Sequence, residues 1–148
     1  MNNSYDFIVL GGGSGGYAAA RTAHDHGLKT AVIDGAETLG GLCILRGCMP
    51  SKSLIASSNL YRSMRRADEF GLRSGKTEVH PAEIVARKRK LIGEFADYRQ
   101  EQLEDGRFDL IRGTAAFTGS NSLKVTPIDG SKPFEVEFRA ATVARSRR

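Results

Sequence analysis

No stretch near the start of this chain is apolar for longer than Phe7-Ile8-Val9-Leu10. That run is too short for a membrane span or for the apolar core of a signal peptide, and no basic leader precedes it. The expectation is a soluble, cytoplasmic protein. Internal repeats and low-complexity segments are missing. Apolar residues make up 40% and charged residues 26%, average globular usage that argues against long-range disorder. Cysteine is scarce: two residues, too few for a four-ligand zinc centre without accompanying histidines, so no metal is expected. The 22 basic residues outnumber 17 acidic ones, but they interleave, and no aromatic–basic stripe forms. Neither nucleic acid nor a membrane surface is therefore an expected partner.

At 148 residues the length favours one domain. Glycine is what the chain has in excess: 17 residues, against roughly 10 at average usage. Ten of them fall within the first 47 residues, so the N-terminal third needs an unusual backbone. Tyr5 to Leu10 reads as a short buried strand ending abruptly at glycines. Gly15 to His26 is rich in helix formers and stops at Gly27, and Lys29 to Asp34 reads as a second strand. Strand, glycine turn, helix, strand implies a crossover with parallel strands.

Gly35 to Gly47 reads as a glycine-rich loop, after which Pro50 opens a helix running to about Glu69. Gly71 and Gly75 mark a break. A second helix spans about Pro81 to Glu104, with Ile84, Leu91, Ile92, Phe95, Tyr98 and Leu103 forming an apolar stripe. At about 1.5 Å per residue it is roughly 36 Å long, and the two helices should pack as an antiparallel hairpin. From Phe108 the pattern turns to β: FDLIRGTAAF, SLKVT, then PFEVEF, with Asp129-Gly130 marking a hairpin turn before the last. The closing ATVARSRR has no cap or core signal, and the basic tail 144–148 reads as frayed.

GGGSGG at 11–16 contains Gly11-x-Gly13-x-x-Gly16, after a strand and at the start of a helix, with Asp34 23 residues beyond Gly11. That context fits a dinucleotide-binding turn. Gly11 permits the tight turn, Gly13 admits a pyrophosphate, and Gly16 lets helix and strand approach. Free N–H groups and the helix dipole face the phosphates, while Asp34 accepts a hydrogen bond from a ribose hydroxyl. The motif does not separate FAD from NAD(P).

Cys43 and Cys48 are separated by Ile44-Leu45-Arg46-Gly47. Two buried unpaired thiols are one reading. The other is a redox-active pair. Cys48 lies just ahead of a helix N-terminus, where the dipole favours a thiolate, and Lys52 adds positive charge one turn in. Gly47 permits the sharp turn that a short cystine loop needs.

GGGSGG, the acid after the second strand and GGLCILRGCMPSK together resemble the class I flavoprotein disulfide reductases, the pyridine nucleotide–disulfide oxidoreductases. That family includes dihydrolipoamide dehydrogenase, glutathione reductase and mercuric reductase. The resemblance runs over nearly the whole chain but only the first third or so of a family member. It implies an α/β fold: a Rossmann-like FAD-binding domain with a parallel sheet, an inserted helical hairpin and a small β-meander, incomplete relative to the family. The parts are the glycine turn 11–16, the redox-cysteine loop and helix 40–70, the long helix 81–105 and the β segment 108–143.

The resemblance also implies roles. Gly11, Gly13, Ser14, Gly15 and Gly16, with Gly41, hold the FAD pyrophosphate, and Asp34 holds the adenosine ribose. Cys43 is the interchange thiol that attacks a small-molecule or protein disulfide. Cys48 faces the flavin and forms a charge-transfer pair with it, and Lys52 stabilises the reduced flavin. Gly113, Thr114 and Ala115 match the strand near the adenine. Electrons run from NAD(P)H through FAD to the Cys43–Cys48 disulfide and on to substrate, or in reverse. Two positions depart from the pattern: Leu42 stands where the family has Thr and Leu45 where it has Asn.

The NAD(P) domain and the domain that makes the family's homodimer, with its catalytic His-Glu pair, have no counterpart in the sequence. His24, His26 and His80 cannot stand in for that pair. The chain reads as an N-terminal fragment, inactive alone. A non-catalytic flavin- or dinucleotide-binding module is the alternative, and an NAD-dependent dehydrogenase would leave the cysteine signature unexplained.

Overall fold

The computed structural model describes residues 3–145. Six strands form one sheet in the order β3-β2-β1-β6-β5-β4. In chain order the elements are β1 (Ser4–Leu10), α1 (Ser14–Asp25), β2 (Thr30–Ile33), α2 (Gly41–Leu45), α3 (Cys48–Arg65), α4 (Pro81–Glu104), β3 (Asp109–Ile111), β4 (Gly113–Phe117), β5 (Ser122–Pro127) and β6 (Phe134–Val143). β1 pairs in parallel with both β2 and β6, and β2 with β3. The meander β4-β5-β6 is antiparallel.

Parallel strands covered on both faces carry unbroken apolar runs. β2 is buried at all four positions, and Ile8 and Val9 of β1 are both fully buried. Two apolar clusters result. One joins Ile8, Ala31 and Ile33 to Leu123, Val125, Val136 and Phe138 of the meander. The other packs Val9 and Val32 against Tyr17 and Ala20 of α1, Leu103 of α4 and Phe108. Each buried Val, Leu, Ile or Phe among them contributes about 1.5–3 kcal/mol.

The helical hairpin forms as expected, α4 returning alongside α3, with an Arg87 Nη1 to Ser53 carbonyl contact of 3.5 Å between them. Its details differ from the sequence reading. The segment expected to be loop contains α2, and α3 starts at Cys48 with Pro50 inside its first turn. α3 ends at Arg65, followed by a 3-10 turn over Ala67–Phe70. In the α4 stripe Leu103 is fully buried, but Phe95 and Tyr98 are 41% and 58% exposed. The C-terminal end of α4 packs on the sheet cluster through Leu103, while part of its stripe farther up stays open.

Two β expectations also change. FDLIRGTAAF is not one strand: it breaks at Arg112, whose carbonyl accepts from Ile128 N (3.1 Å), so β3 joins the parallel half and β4 the meander. The closing ATVARSRR, read above as lacking a core signal, begins in the sheet, so the tail is not frayed from 144: Ala141–Val143 complete β6 and pair with Ile8–Leu10. Ala144 continues the ladder by donating to the Leu10 carbonyl (2.9 Å). The remainder of that tail, 146–148, lies outside the described residues. Among the described residues no helix is long and apolar enough to cross a membrane.

Candidate functional site

The C-terminal ends of β1 and β2 are where an open parallel sheet presents a ligand crevice. Gly11 follows β1 with φ +107°, a backbone conformation that suits glycine. Gly13 caps α1 in an extended conformation, and the helix has no side-chain cap and no acidic residue in its first turn. Its leading amides are thus left for an anion, which the helix dipole also favours. A Cβ on Gly16 would stand 1.8 Å from the Gly11 carbonyl oxygen and 3.1 Å from Val9. This is the close helix–strand approach inferred for the third glycine of the motif. Ser14 and Gly15 open α1 and are exposed.

Asp34, just past β2, accepts from Gly12 N through Oδ2 (2.7 Å) and from Ala36 N through Oδ1 (2.8 Å). Its main chain is pinned on both sides, Asp34 N donating to Ile111 O (3.0 Å) and Gly113 N donating to Asp34 O (3.3 Å). Gly35 and Gly113 touch: a Cβ on Gly35 would lie 2.8 Å from the Gly113 oxygen and 3.0 Å from the Thr114 methyl. Gly113, Thr114 and Ala115, in β4, therefore share one neighbourhood with Asp34.

The cysteine segment joins the same crevice through glycine. Gly41, at φ +71°, opens α2 so close to the turn that a Cβ there would lie 2.6 Å from the Gly13 α-carbon. Cys43 follows one half-turn on. Gly47 lets the chain double back, because its own Cβ would meet the Leu42 oxygen at 3.0 Å and the Cys43 α-carbon at 3.3 Å. That returns the chain to Cys48, the first residue of α3. Both cysteines are free thiols, Cys43 half-buried and Cys48 exposed. Hydrogen bonding to the neighbouring Cys48 side chain, burial and the Cys48 charge raise the Cys43 thiol above its ordinary value. Lys52, exposed one turn into α3, pulls it back down.

Three features escaped the sequence reading. Leu103 packs beneath Gly12, so the long helix closes the underside of the glycine turn. Tyr17 sits under the Arg99 guanidinium (4.1 Å), accepts from Arg107 Nη2 (2.9 Å) and meets Phe108 edge-on. Arg112 reaches across to the carbonyls of Ala36 and Glu37. The only signal for Arg112 was a cation placed directly before Gly113.

Known proteins share this arrangement. The sequence profile of the pyridine nucleotide-disulphide oxidoreductases matches residues 5–144. The chain belongs to that family. Among curated members, the dihydrolipoyl dehydrogenase of Bacillus subtilis is 36% identical over 127 residues, 86% of this chain and 27% of that protein. The dihydrolipoyl dehydrogenase of Zymomonas mobilis is 35% identical over 149 residues, 99% of this chain and 32% of that protein. The chain thus spans about a third or less of the oxidoreductases it matches. Among solved structures, an HOCl-induced flavoprotein disulfide reductase from Escherichia coli superposes with a TM-score of 0.73. It is 23% identical, covering 95% of this chain and 28% of that one. That likeness shows the fold: a Rossmann-like α/β arrangement around a mostly parallel six-stranded sheet.

Proposed function

We propose that this chain is the FAD-binding part of an NAD(P)-linked flavoprotein disulfide oxidoreductase acting on a small-molecule or protein disulfide. The observation that carries the reading is the Gly41–Gly13 contact, which seats the Cys43–Cys48 loop directly on the uncapped glycine turn. A nucleotide-binding turn with no redox partner has no need of that contact. FAD held there supplies a two-electron relay between NAD(P)H and the cysteine pair.

The amides of Gly13, Ser14, Gly15 and Gly16 receive the pyrophosphate, with Gly11 turning the chain at φ +107° and Gly41 bringing the cysteine loop against the turn. Asp34 keeps lone pairs free beside its two backbone bonds and accepts from a ribose hydroxyl. Thr114 and Ala115 border the adenosine end. Lys52 places a positive charge beside the dithiol. Reducing the Cys43–Cys48 bond takes two electrons and two protons and leaves two thiols. In the forward exchange a Cys43 thiolate attacks a substrate sulfur, and Cys48 then attacks Cys43 to release the second substrate thiol.

The raised Cys43 thiol gives that exchange a need for a base. None of the three histidines is built into the dithiol: His24 and His26 lie at the far end of α1, and His80 caps the distal end of α4. The 148 residues alone are therefore expected to turn over no NAD(P)H, the base and second nucleotide site belonging to the remaining length of a family member. A reducing cytoplasmic setting and a homodimer go with the reading for the full-length protein.

The test is to purify the whole chain, incubate it with FAD and pass it over gel filtration. Retained flavin absorbance, with two thiols that disappear together on mild oxidation, is expected. A chain that stays colourless, or whose thiols never pair, overturns the proposal.

A further inference from the structure

We infer that Arg112 is a positioning residue of the dinucleotide site, setting the Asp34 carboxylate through the Ala36 turn. The inference rests on the ribose reading of Asp34 given above. The geometry is a relay of hydrogen bonds across three segments. Arg112 Nη2 donates to the carbonyl of Ala36 and makes a longer contact, 3.5 Å, with that of Glu37. The Ala36 amide donates to Asp34 Oδ1 (2.8 Å), and Asp34 Oδ2 accepts from Gly12 N (2.7 Å). A cation at the β3–β4 junction is thereby connected to the middle of the glycine turn.

Each link has a reason to matter. A carboxylate that accepts from two backbone amides is fixed in rotation, and its remaining lone pairs then point in one direction. The Gly12 amide belongs to a buried residue packed on Leu103, but Ala36, Glu37 and Thr38 are exposed and lie outside both apolar clusters. The Ala36 side of the clamp is therefore the loose side. Arg112 is half-buried, and its own main chain is held by Ile128 N (3.1 Å). It offers the turn an anchor in one always-charged guanidinium nitrogen, Nη2, which faces both adjacent carbonyls. Without it Ala36 can drift, and the Asp34 carboxylate loses the orientation that a ribose hydroxyl requires.

The test measures ADP and 2′,3′-dideoxy-ADP binding to the whole chain by calorimetry, with the thermal midpoint of each variant. A hydrogen bond to a charged group corresponds to about a tenfold or greater preference for ADP in the wild type. Asp34→Asn and Arg112→Gln should each bring that preference within about threefold, while the dideoxy probe binds both variants nearly as before. Arg112→Lys, which still reaches one carbonyl, should recover part of the preference. Arg112→Met keeps the apolar stem and replaces the glutamine variant if that one does not fold. An Arg112 variant that keeps the wild-type preference while Asp34→Asn loses it overturns this inference and leaves the ribose reading standing. Asp34→Asn keeping the preference, or a wild type that binds neither probe, removes the ribose reading and this one with it. Failure of every Arg112 variant to fold makes the residue a strand-junction clamp and overturns the inference.

Discussion

Gly16 and Gly11 lie so close that a single methyl on Gly16 would stand 1.8 Å from the Gly11 carbonyl oxygen, whereas the same methyl on Gly13 would meet nothing nearer than 3.5 Å. The two glycines of one motif therefore answer to different demands. At Gly16 the protein's own backbone fills the space. At Gly13 a methyl would find only ordinary contact with Gly41, so a strict need for glycine there would come from a ligand.

Substitution by alanine should separate the two. Gly16→Ala forces α1 off β1, and an overlap with backbone costs at least the 1–3 kcal/mol typical of overpacking, at about 25 °C. Urea unfolding should show that loss directly. Gly13→Ala should leave the urea midpoint near wild type, because Gly13 adopts an extended conformation open to any residue and its methyl finds ordinary contact. FAD retention on gel filtration should nevertheless fall at least tenfold. A Gly13→Ala chain that keeps its flavin would remove this turn from the pyrophosphate site.

The cysteine pair makes a prediction with two opposite signs. Sharing a hydrogen bond with Cys48 is the main cause that raises the Cys43 thiol, and Lys52 opposes it. Cys48→Ala should lower the Cys43 pKa, so alkylation by iodoacetamide at mildly alkaline pH speeds up. Lys52→Met should raise it and slow alkylation in a chain that retains both cysteines. Rates followed from pH 7 to 10 give both directions; the same direction for both variants would contradict the arrangement described.

Tyr5 sets an alkaline limit. Burial and the hydrogen bond to Asp109 Oδ2 (2.8 Å) push its phenol from 10.0 up to about 12. The folded chain thus holds the phenolic proton where the unfolded chain has released it. Stability is full below about pH 10 and declines as pH rises toward about 12. Tyr5→Phe should flatten that decline in denaturant midpoints measured from pH 8 to 12, with some loss at neutral pH from the unpaired Asp109.

The first crossover was legible because its signals are local. Glycines, a helix former run and an apolar strand on either side state a strand–turn–helix within 34 residues, and the structure pairs β1 and β2 in parallel as expected. The cysteine motif was equally plain. The second half of β6 was not: FRAATV interrupts its alternation with Arg139 and small residues. Its partner, β1, is more than 130 residues away, so pairing leaves no mark on neighbouring positions. The break at Arg112 was hidden for a related reason, since β3 and β4 part company to satisfy different partner strands, β2 and β5.

Residue order alone therefore settled the parts list: a nucleotide turn, a pair of thiols five residues apart and a helical hairpin between strands. Spacing along a chain constrains what neighbours can do because covalent geometry limits their reach. It says nothing about which distant backbone will arrive beside them. Folding decided that Gly41 meets Gly13, that β6 completes the sheet, and that Arg112 reaches the turn after Asp34. Those contacts join segments of the chain that become neighbours only when apolar surface is buried on both faces of the sheet.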